Sequence, residues 1–161
     1  MGDGMDAGTV FGPINNKMQF ERVSGLVDDA RKEGGRIVAG GQQMGDPNGY
    51  FYEPTIIADV QEGNRIVDEE QFGPVIPIIK YSDVDDAMDR ANATEYGLGG
   101  SVWTNDLVEG EKRIGELQSG NTWLNAHLVD VMAPHAPFGG IRTSGVSSQA
   151  ICHCSCCIDH L

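Results

Sequence analysis

The chain of 161 residues is 40% apolar and carries 11 basic against 24 acidic side chains, which gives a net charge of −13. This length and composition indicate one globular domain with a core, and an acidic surface that repels phosphate backbones excludes nucleic acid as an expected partner. No apolar run approaches the roughly 20 residues that cross a bilayer and no secretory signal is visible, so we expect no membrane partner and a cytoplasmic location, or an organelle whose targeting sequence has been lost.

The first predicted element is an amphipathic helix over residues 16–33. Apolar side chains recur there at helical spacing, and Asn15 or Asn16 can cap the helix start. The side chains expected to face inward are Met18, Val23, Leu26, Val27 and Ala30. Two glycines end the helix, and the apolar run Arg36–Ala39 that follows predicts a short strand.

The remaining elements are shorter and more regular. Residues 51–60 are predicted to be extended, and Pro54 favours an edge or irregular strand in part of this stretch because proline has no N–H for a ladder. Ser82 with Asp85 resembles a capping box at the start of the next helix. From there strands and helices alternate: strands at 75–81, 99–104 and 121–125, and helices at 83–93 and 106–118.

This alternation of strands and helices predicts an α/β fold. Right-handed crossovers would make the three later strands parallel neighbours in one covered sheet. In open α/β sheets, ligands bind beyond the carboxyl ends of the strands. The loop 126–140, which follows the last of these strands, is therefore a candidate binding region.

One segment before the 75–81 strand combines an acidic pair, an aromatic and a Gly-Pro turn. Within it, Glu70 lies near a strand entrance, where a carboxylate is a good acceptor for paired sugar hydroxyls, and Phe72 can form a wall of the same site. The segment is a plausible ribose contact for a nucleotide. The simpler alternatives are a solvated carboxylate and a core aromatic beneath the turn.

Four motifs in order extend this interpretation: EEQFGPV at 69–75, YGLGGSVWT at 96–104, SGNTWLN at 119–125 and PFGGIRTSG at 137–145. Together they resemble the C-terminal part of the catalytic domain of the NAD(P)-dependent aldehyde dehydrogenase superfamily. The resemblance runs from about residue 2 to residue 145. It implies a mainly parallel open sheet with covering helices, as an incomplete catalytic domain.

The resemblance also implies an activity for a larger parent protein. That activity is oxidation of an aldehyde to a carboxylic acid with NAD or NADP, in a homo-oligomer. The family's nucleophilic cysteine, its general-base glutamate and its nucleotide-binding domain lie upstream of the matched region. We therefore assign no catalytic residue and expect this chain alone to be inactive. The alternative is a non-catalytic fragment that associates with a complementary piece or a full-length subunit.

The site residues implied by the resemblance fall into two groups. Glu70 and Phe72 match the contacts to the nicotinamide-side ribose of the cofactor. Met132, His135 and Phe138 match positions that shape the aldehyde pocket. A packing role before a Gly-Gly turn is an equally good interpretation of Phe138, and a loop-surface position is the simpler interpretation of His135 because no acid is obviously placed to orient it.

The end of the chain differs in kind, since all its cysteines lie there: Cys152, Cys154, Cys156 and Cys157. A disulfide framework for the fold is thereby excluded. Structural zinc sites prefer two spaced pairs, whereas these thiols are crowded, so we expect no metal. We place a boundary between residues 1–145, the partial catalytic domain, and residues 146–161, a Cys-rich tail expected to be disordered.

Overall fold

The computed structural model describes residues 1–127, 137–145 and 148–150, the last three as backbone only. It has a mixed α/β organisation with parallel strand pairs, as predicted. The chain divides into two compact units, Met1–Lys80 and the residues from Tyr81 onward.

The first unit contains two helices and three strands. In chain order these are α1 Lys17–Lys32, β1 Arg36–Ala39, β2 Thr55–Ala58, α2 Arg65–Asp68 and β3 Val75–Ile78. The second unit begins with two helices and two strands that alternate, and continues with two short strands on either side of a 3₁₀ turn. These are α3 Val84–Asn92, β4 Gly99–Val102, α4 Leu107–Glu116, β5 Asn121–Leu124, β6 Pro137–Gly139, the turn Arg142–Ser144 and β7 Ser148–Ala150.

The sheet of the first unit has the order β1-β2-β3, with β1 antiparallel and β3 parallel to β2. The extended stretch predicted at 51–60 contains β2, and its pairing with β1 is irregular, with a register shift between Ile37 and Ala39. The edge alternative was wrong, because β2 is the central strand. Pro54 lies just before β2, where its missing N–H removes no ladder hydrogen bond. Thr55, the first residue of β2, is opposite Val75 of β3 and donates its N–H to the Pro74 carbonyl at 2.8 Å.

In the second unit β4 and β5 pair in parallel, with Gly99 opposite Asn121. This confirms the β-α-β prediction for that pair. The expectation that β3 lies in the same sheet as β4 and β5 was wrong, since among the described strands β3 is hydrogen-bonded to β2. No pattern in the sequence predicts β6 or β7, which pair antiparallel. Strand β7 lies inside the segment predicted to be a disordered tail.

Three of the helices begin with a side-chain cap. Asn16 accepts a hydrogen bond from the Gln19 N–H at 2.9 Å, and Asp106 accepts one from the Glu109 N–H at 3.1 Å. The predicted Ser82 cap was wrong, because Asp83 is the cap of α3 and accepts hydrogen bonds from the N–H groups of Asp85 at 2.8 Å and Asp86 at 3.2 Å. A carboxylate can take both donors and also opposes the positive end of the helix dipole.

The buried apolar cluster belongs to the first unit. It comprises Ile14, Val23, Leu26, Val27, Ala30, Tyr52, Ile57, Val60, Ile66 and Val75. Met18 was wrongly assigned to it and is 74% exposed, because five residues of helix rotate it about 140° away from Val23. Among the described residues from Tyr81 onward, only Gly97 and Gly110 are buried. No helix in the described part of the chain is long and apolar enough to cross a bilayer.

Candidate functional site

The segment between α2 and β3 carries the acidic pair, and its first member, Glu69, is engaged in ion pairs. The Glu69 carboxylate lies 2.7 Å from Arg65 and 3.0 Å from Arg22 of α1. The hydrogen bond from Arg65 and the charges of both arginines hold the pKa of Glu69 below its ordinary value. Arg65 also pairs with Asp29 of α1 at 2.5 Å. Glu69 therefore serves to join α2 and its following segment to α1.

Glu70 differs from Glu69 in its exposure and in its side-chain partners. Its side chain is exposed, and within the described residues its carboxylate has no hydrogen-bond or ion-pair partner. Its backbone is nevertheless held, because Arg22 Nη2 donates to the Glu70 carbonyl at 3.0 Å. The structure thus presents a free carboxylate on a tethered backbone, which is the arrangement needed to accept hydrogen bonds from a ligand.

Phe72 projects from the same segment with 77% of its surface exposed. This contradicts the alternative of a core aromatic beneath the Gly-Pro turn. Its φ of +43° places an aromatic residue in the left-handed region, where non-glycine residues are uncommon and strained. An exposed apolar ring on a strained backbone does little to stabilise the fold, but it is available to pack against a ligand.

The backbone of this segment is fixed by α1. Gln19 Nε2 donates to the carbonyls of Gln71 at 2.8 Å and Phe72 at 3.1 Å. Gly73 lies so close to α1 that an added Cβ would fall 2.6 Å from Val23 Cγ2. Sequence reasoning missed Gln19 as a contributor to the site, because its partners are backbone carbonyls.

In the second unit, Asn125 closes the carboxyl ends of β4 and β5. Its side-chain amide donates to the Thr104 carbonyl at 2.8 Å, and its Oδ1 accepts from the Thr104 N–H at 2.8 Å. Its φ of +52° turns the chain there, where the predicted binding loop begins. Met132 and His135 lie outside the described residues.

Phe138 is half-buried on β6, with Gln149 of β7 opposite it in register. The strand is attached to the parallel pair through Asn121, whose Nδ2 donates to the carbonyls of Leu98 and Gly139, both at 2.8 Å. Phe138 is therefore carried on a backbone that is fixed to the start of β5.

The rest of the last motif is held by Arg142, a residue that sequence reasoning did not single out. Its guanidinium donates to the carbonyls of Asn92 at 2.8 Å and Thr94 at 2.6 Å, and to the side chain of Gln118. The Ser144 hydroxyl accepts from the Gly97 N–H at 3.0 Å. The position of a single arginine between the Gly-Gly and Ser-Gly pairs of the motif could have indicated that Arg142 holds this segment in place.

No group of three or more His, Cys, Asp or Glu side chains in the described ranges is arranged to hold a metal ion. The four tail cysteines lie outside those ranges.

Comparison with known proteins identifies the group to which these features belong. A family model described as the aldehyde dehydrogenase family matches residues 1–155, ten residues past the boundary expected at 145. Betaine aldehyde dehydrogenase of Cereibacter sphaeroides is 38% identical over 149 residues, which cover 92% of this chain and 30% of that protein. Retinaldehyde dehydrogenase 3 of Mus musculus is 39% identical over 145 residues, covering 90% and 28%.

Solved structures agree with the sequence relatives. An NAD⁺ complex of aldehyde dehydrogenase from Bacillus cereus superposes with a TM-score of 0.84 at 36% identity, covering 90% of this chain and 29% of that one. The α/β fold is thus the one found in these enzymes. The chain spans about 30% of the length of the curated relatives it matches.

Proposed function

Because the chain belongs to the aldehyde dehydrogenase family, we propose that it forms part of an oxidoreductase that converts an aldehyde to a carboxylic acid with NAD or NADP. The names of its relatives, which include betaine aldehyde and retinaldehyde dehydrogenases, support this reaction class. The NAD⁺ bound to the Bacillus cereus enzyme supports the cofactor class.

Glu70 and Phe72 are our proposed contacts to the ribose on the nicotinamide side of the cofactor. The observation that carries this proposal is the exposed Glu70 carboxylate, which has no partner among the described residues and stands on a backbone that α1 holds in place. One carboxylate can accept hydrogen bonds from both hydroxyls of a ribose, and the Phe72 ring offers an apolar wall beside it. When bound, the nicotinamide supplies the hydride acceptor, and these residues supply its position.

We assign one wall of the aldehyde pocket to Phe138, together with Met132 and His135 of the preceding loop. Support comes from the attachment of β6 to Asn121 and from the Asn125 amide that fixes the start of the loop. A site needs such a rigid base if its loop side chains are to select a substrate. We place the functional part of the chain at residues 1–145, ahead of the Cys-rich tail.

The experiment that tests the ribose contact is a titration of the full chain with nicotinamide mononucleotide, followed by NMR. We expect ring resonances of Phe72 to shift, and the dissociation constant to rise about tenfold in a Glu70→Gln variant, because a charged acceptor is replaced by a neutral amide. Glu111→Gln is the matched control, since it removes the same charge from an exposed position on α4. Unshifted Phe72 resonances in the wild-type chain would rule the contact out.

A second candidate function, association with a complementary piece or a full-length subunit, is favoured by exposed apolar surface. On β3, Val75 is buried, but Ile76 is 62% and Ile78 is 47% exposed. The apolar face of the strand that carries these two isoleucines is therefore not covered by other described residues. The second unit has no buried apolar side chain among its described residues. Exposed surface of this kind marks interaction sites.

The two candidates give different results when the chain is mixed with the upstream two thirds of its Cereibacter sphaeroides relative. Alone, the chain should reduce no NAD with betaine aldehyde or retinaldehyde, because no cysteine precedes Cys152 to act as the nucleophile. The catalytic proposal expects co-elution in size-exclusion chromatography together with NAD reduction. Co-elution without turnover would favour the non-catalytic role, and turnover by the chain alone would contradict both.

A further inference from the structure

We infer that Gln19 and Arg22 of α1 are positioning residues, which set the conformation of residues 70–72 and so aim Glu70 and Phe72 at their ligand. The inference rests on the proposed ribose contact for its purpose, and on the described hydrogen bonds for its geometry.

Three successive carbonyls of the segment accept hydrogen bonds from one strip of α1. Arg22 Nη2 donates to the carbonyl of Glu70, and Gln19 Nε2 donates to those of Gln71 and Phe72. Positions 19 and 22 are three apart and therefore lie on the same helix face. A side-chain amide has two N–H groups on one nitrogen, so Gln19 alone can satisfy two neighbouring acceptors.

These hydrogen bonds account for the conformation of Phe72. A positive φ at an aromatic residue is unfavourable and persists only where the surroundings determine it from several sides. The Gln19 amide holds the carbonyls on both sides of the Phe72 φ angle, those of Gln71 and Phe72 itself. On the far side, the close approach of Gly73 to Val23 fixes where the segment ends. Without the Gln19 amide, the angle at Phe72 has no such restraint.

The same contacts decide which side chains are left for a ligand. With the three carbonyls turned to α1, the side chains of Glu70 and Phe72 are both exposed. Arg22 also pairs with Glu69. This keeps the guanidinium engaged with Glu69, and the Glu70 carboxylate is left without a partner in the part of the chain that the structure describes. The helix does not need either residue for its own packing, because its buried side chains are Val23, Leu26, Val27 and Ala30.

The test is a Gln19→Glu variant of the full chain, which keeps the side-chain length but replaces the two donors by a carboxylate. We expect the strong intraresidue HN–Hα NOE of Phe72, which a positive φ produces, to disappear. Backbone shifts should be confined to residues 70–73, and the dissociation constant for nicotinamide mononucleotide should rise about tenfold. The urea midpoint should change little, since no core contact is lost.

Two further variants keep this test decisive. Gln61→Glu makes the same chemical change at an exposed glutamine whose side chain has no hydrogen bond in the described part of the chain, and it should leave the Phe72 signature intact. Gln19→Met removes the donors without adding charge and should reproduce the loss of the signature. An unchanged Phe72 NOE in both Gln19 variants would overturn the inference, as would unfolding of both, which would make Gln19 merely structural.

Failure of the proposed function gives a different pattern. If the wild-type chain does not bind nicotinamide mononucleotide while both Gln19 variants lose the Phe72 signature, the ribose contact is wrong and the positioning of the backbone by α1 is supported.

Discussion

Replacing Leu26 with alanine should lower the free energy of unfolding by about 2–5 kcal/mol. Leu26 is fully buried on α1 within the apolar cluster of the first unit. Its truncation removes apolar contacts and leaves a cavity that the surrounding side chains fill only in part. Urea denaturation of the full chain, followed by circular dichroism, measures the effect.

Met18→Ala is the matched control, because it truncates a large apolar side chain on the same helix at a position that is 74% exposed. It should change the free energy of unfolding by less than about 0.5 kcal/mol. If the two variants lost equal free energy of unfolding, α1 would have to bury a different face from the one that carries Leu26. In that case the strip formed by Gln19 and Arg22 could not lie against residues 70–72.

Local signals in the sequence were enough to predict most elements of the fold. The apolar period and the capping asparagine predicted α1 to within a residue at each end, and the observed helix is Lys17–Lys32. The β4-α4-β5 unit was predicted in the same way, and its parallel pairing is confirmed. These elements are encoded by residues that are near one another along the chain.

Strand pairing could not be predicted from the same signals. Pro54 predicts an edge or irregular strand, yet the proline precedes β2, which is the central strand, and leaves its ladder with β3 intact. The partner of β3 is selected by contacts between distant residues, which a periodicity does not record. Helix α2 was missed because a helix of four residues is too short to show a period.

The sequence predicts the residues of the candidate site whose side chains would contact a ligand, but not the residues that hold the backbone of the site. Glu70 and Phe72 stand out as an acid and an aromatic beside a Gly-Pro turn, and the family resemblance gives them a role. Gln19 and Arg22 lie 52 and 48 residues before the carbonyls of Gln71 and Glu70 to which they donate. The groups to which they donate are backbone carbonyls, which every residue type possesses. The residue types at positions 70–72 therefore do not indicate that these hydrogen bonds form.

Gly120→Ala should destabilise the chain by about 1–3 kcal/mol, or more, through overpacking. A Cβ at this position would lie 1.9 Å from the carbonyl oxygen of Gly139, and neither backbone can move aside by a simple side-chain rotation. Gly115→Ala is the control: Gly115 lies on an exposed turn of α4, and apart from its chain neighbours and the nearby helix backbone no described atom lies within 4 Å of the added Cβ. Alanine stabilises a helix relative to glycine by up to about 1 kcal/mol. The midpoint temperature of unfolding should therefore fall in Gly120→Ala and rise in Gly115→Ala.

The Gly120 effect should also reach the proposed substrate wall. The N–H groups of Gly120 and Ile141 donate to one carbonyl, that of Gly97, at 2.9 and 3.0 Å, so displacing Gly139 should perturb both amide resonances. Phe138 precedes Gly139 on β6 and must move with it. Unshifted Ile141 and Phe138 resonances in a folded Gly120→Ala chain would show that β6 is not anchored here, and Phe138 would then lack the rigid base that a substrate-selecting side chain requires.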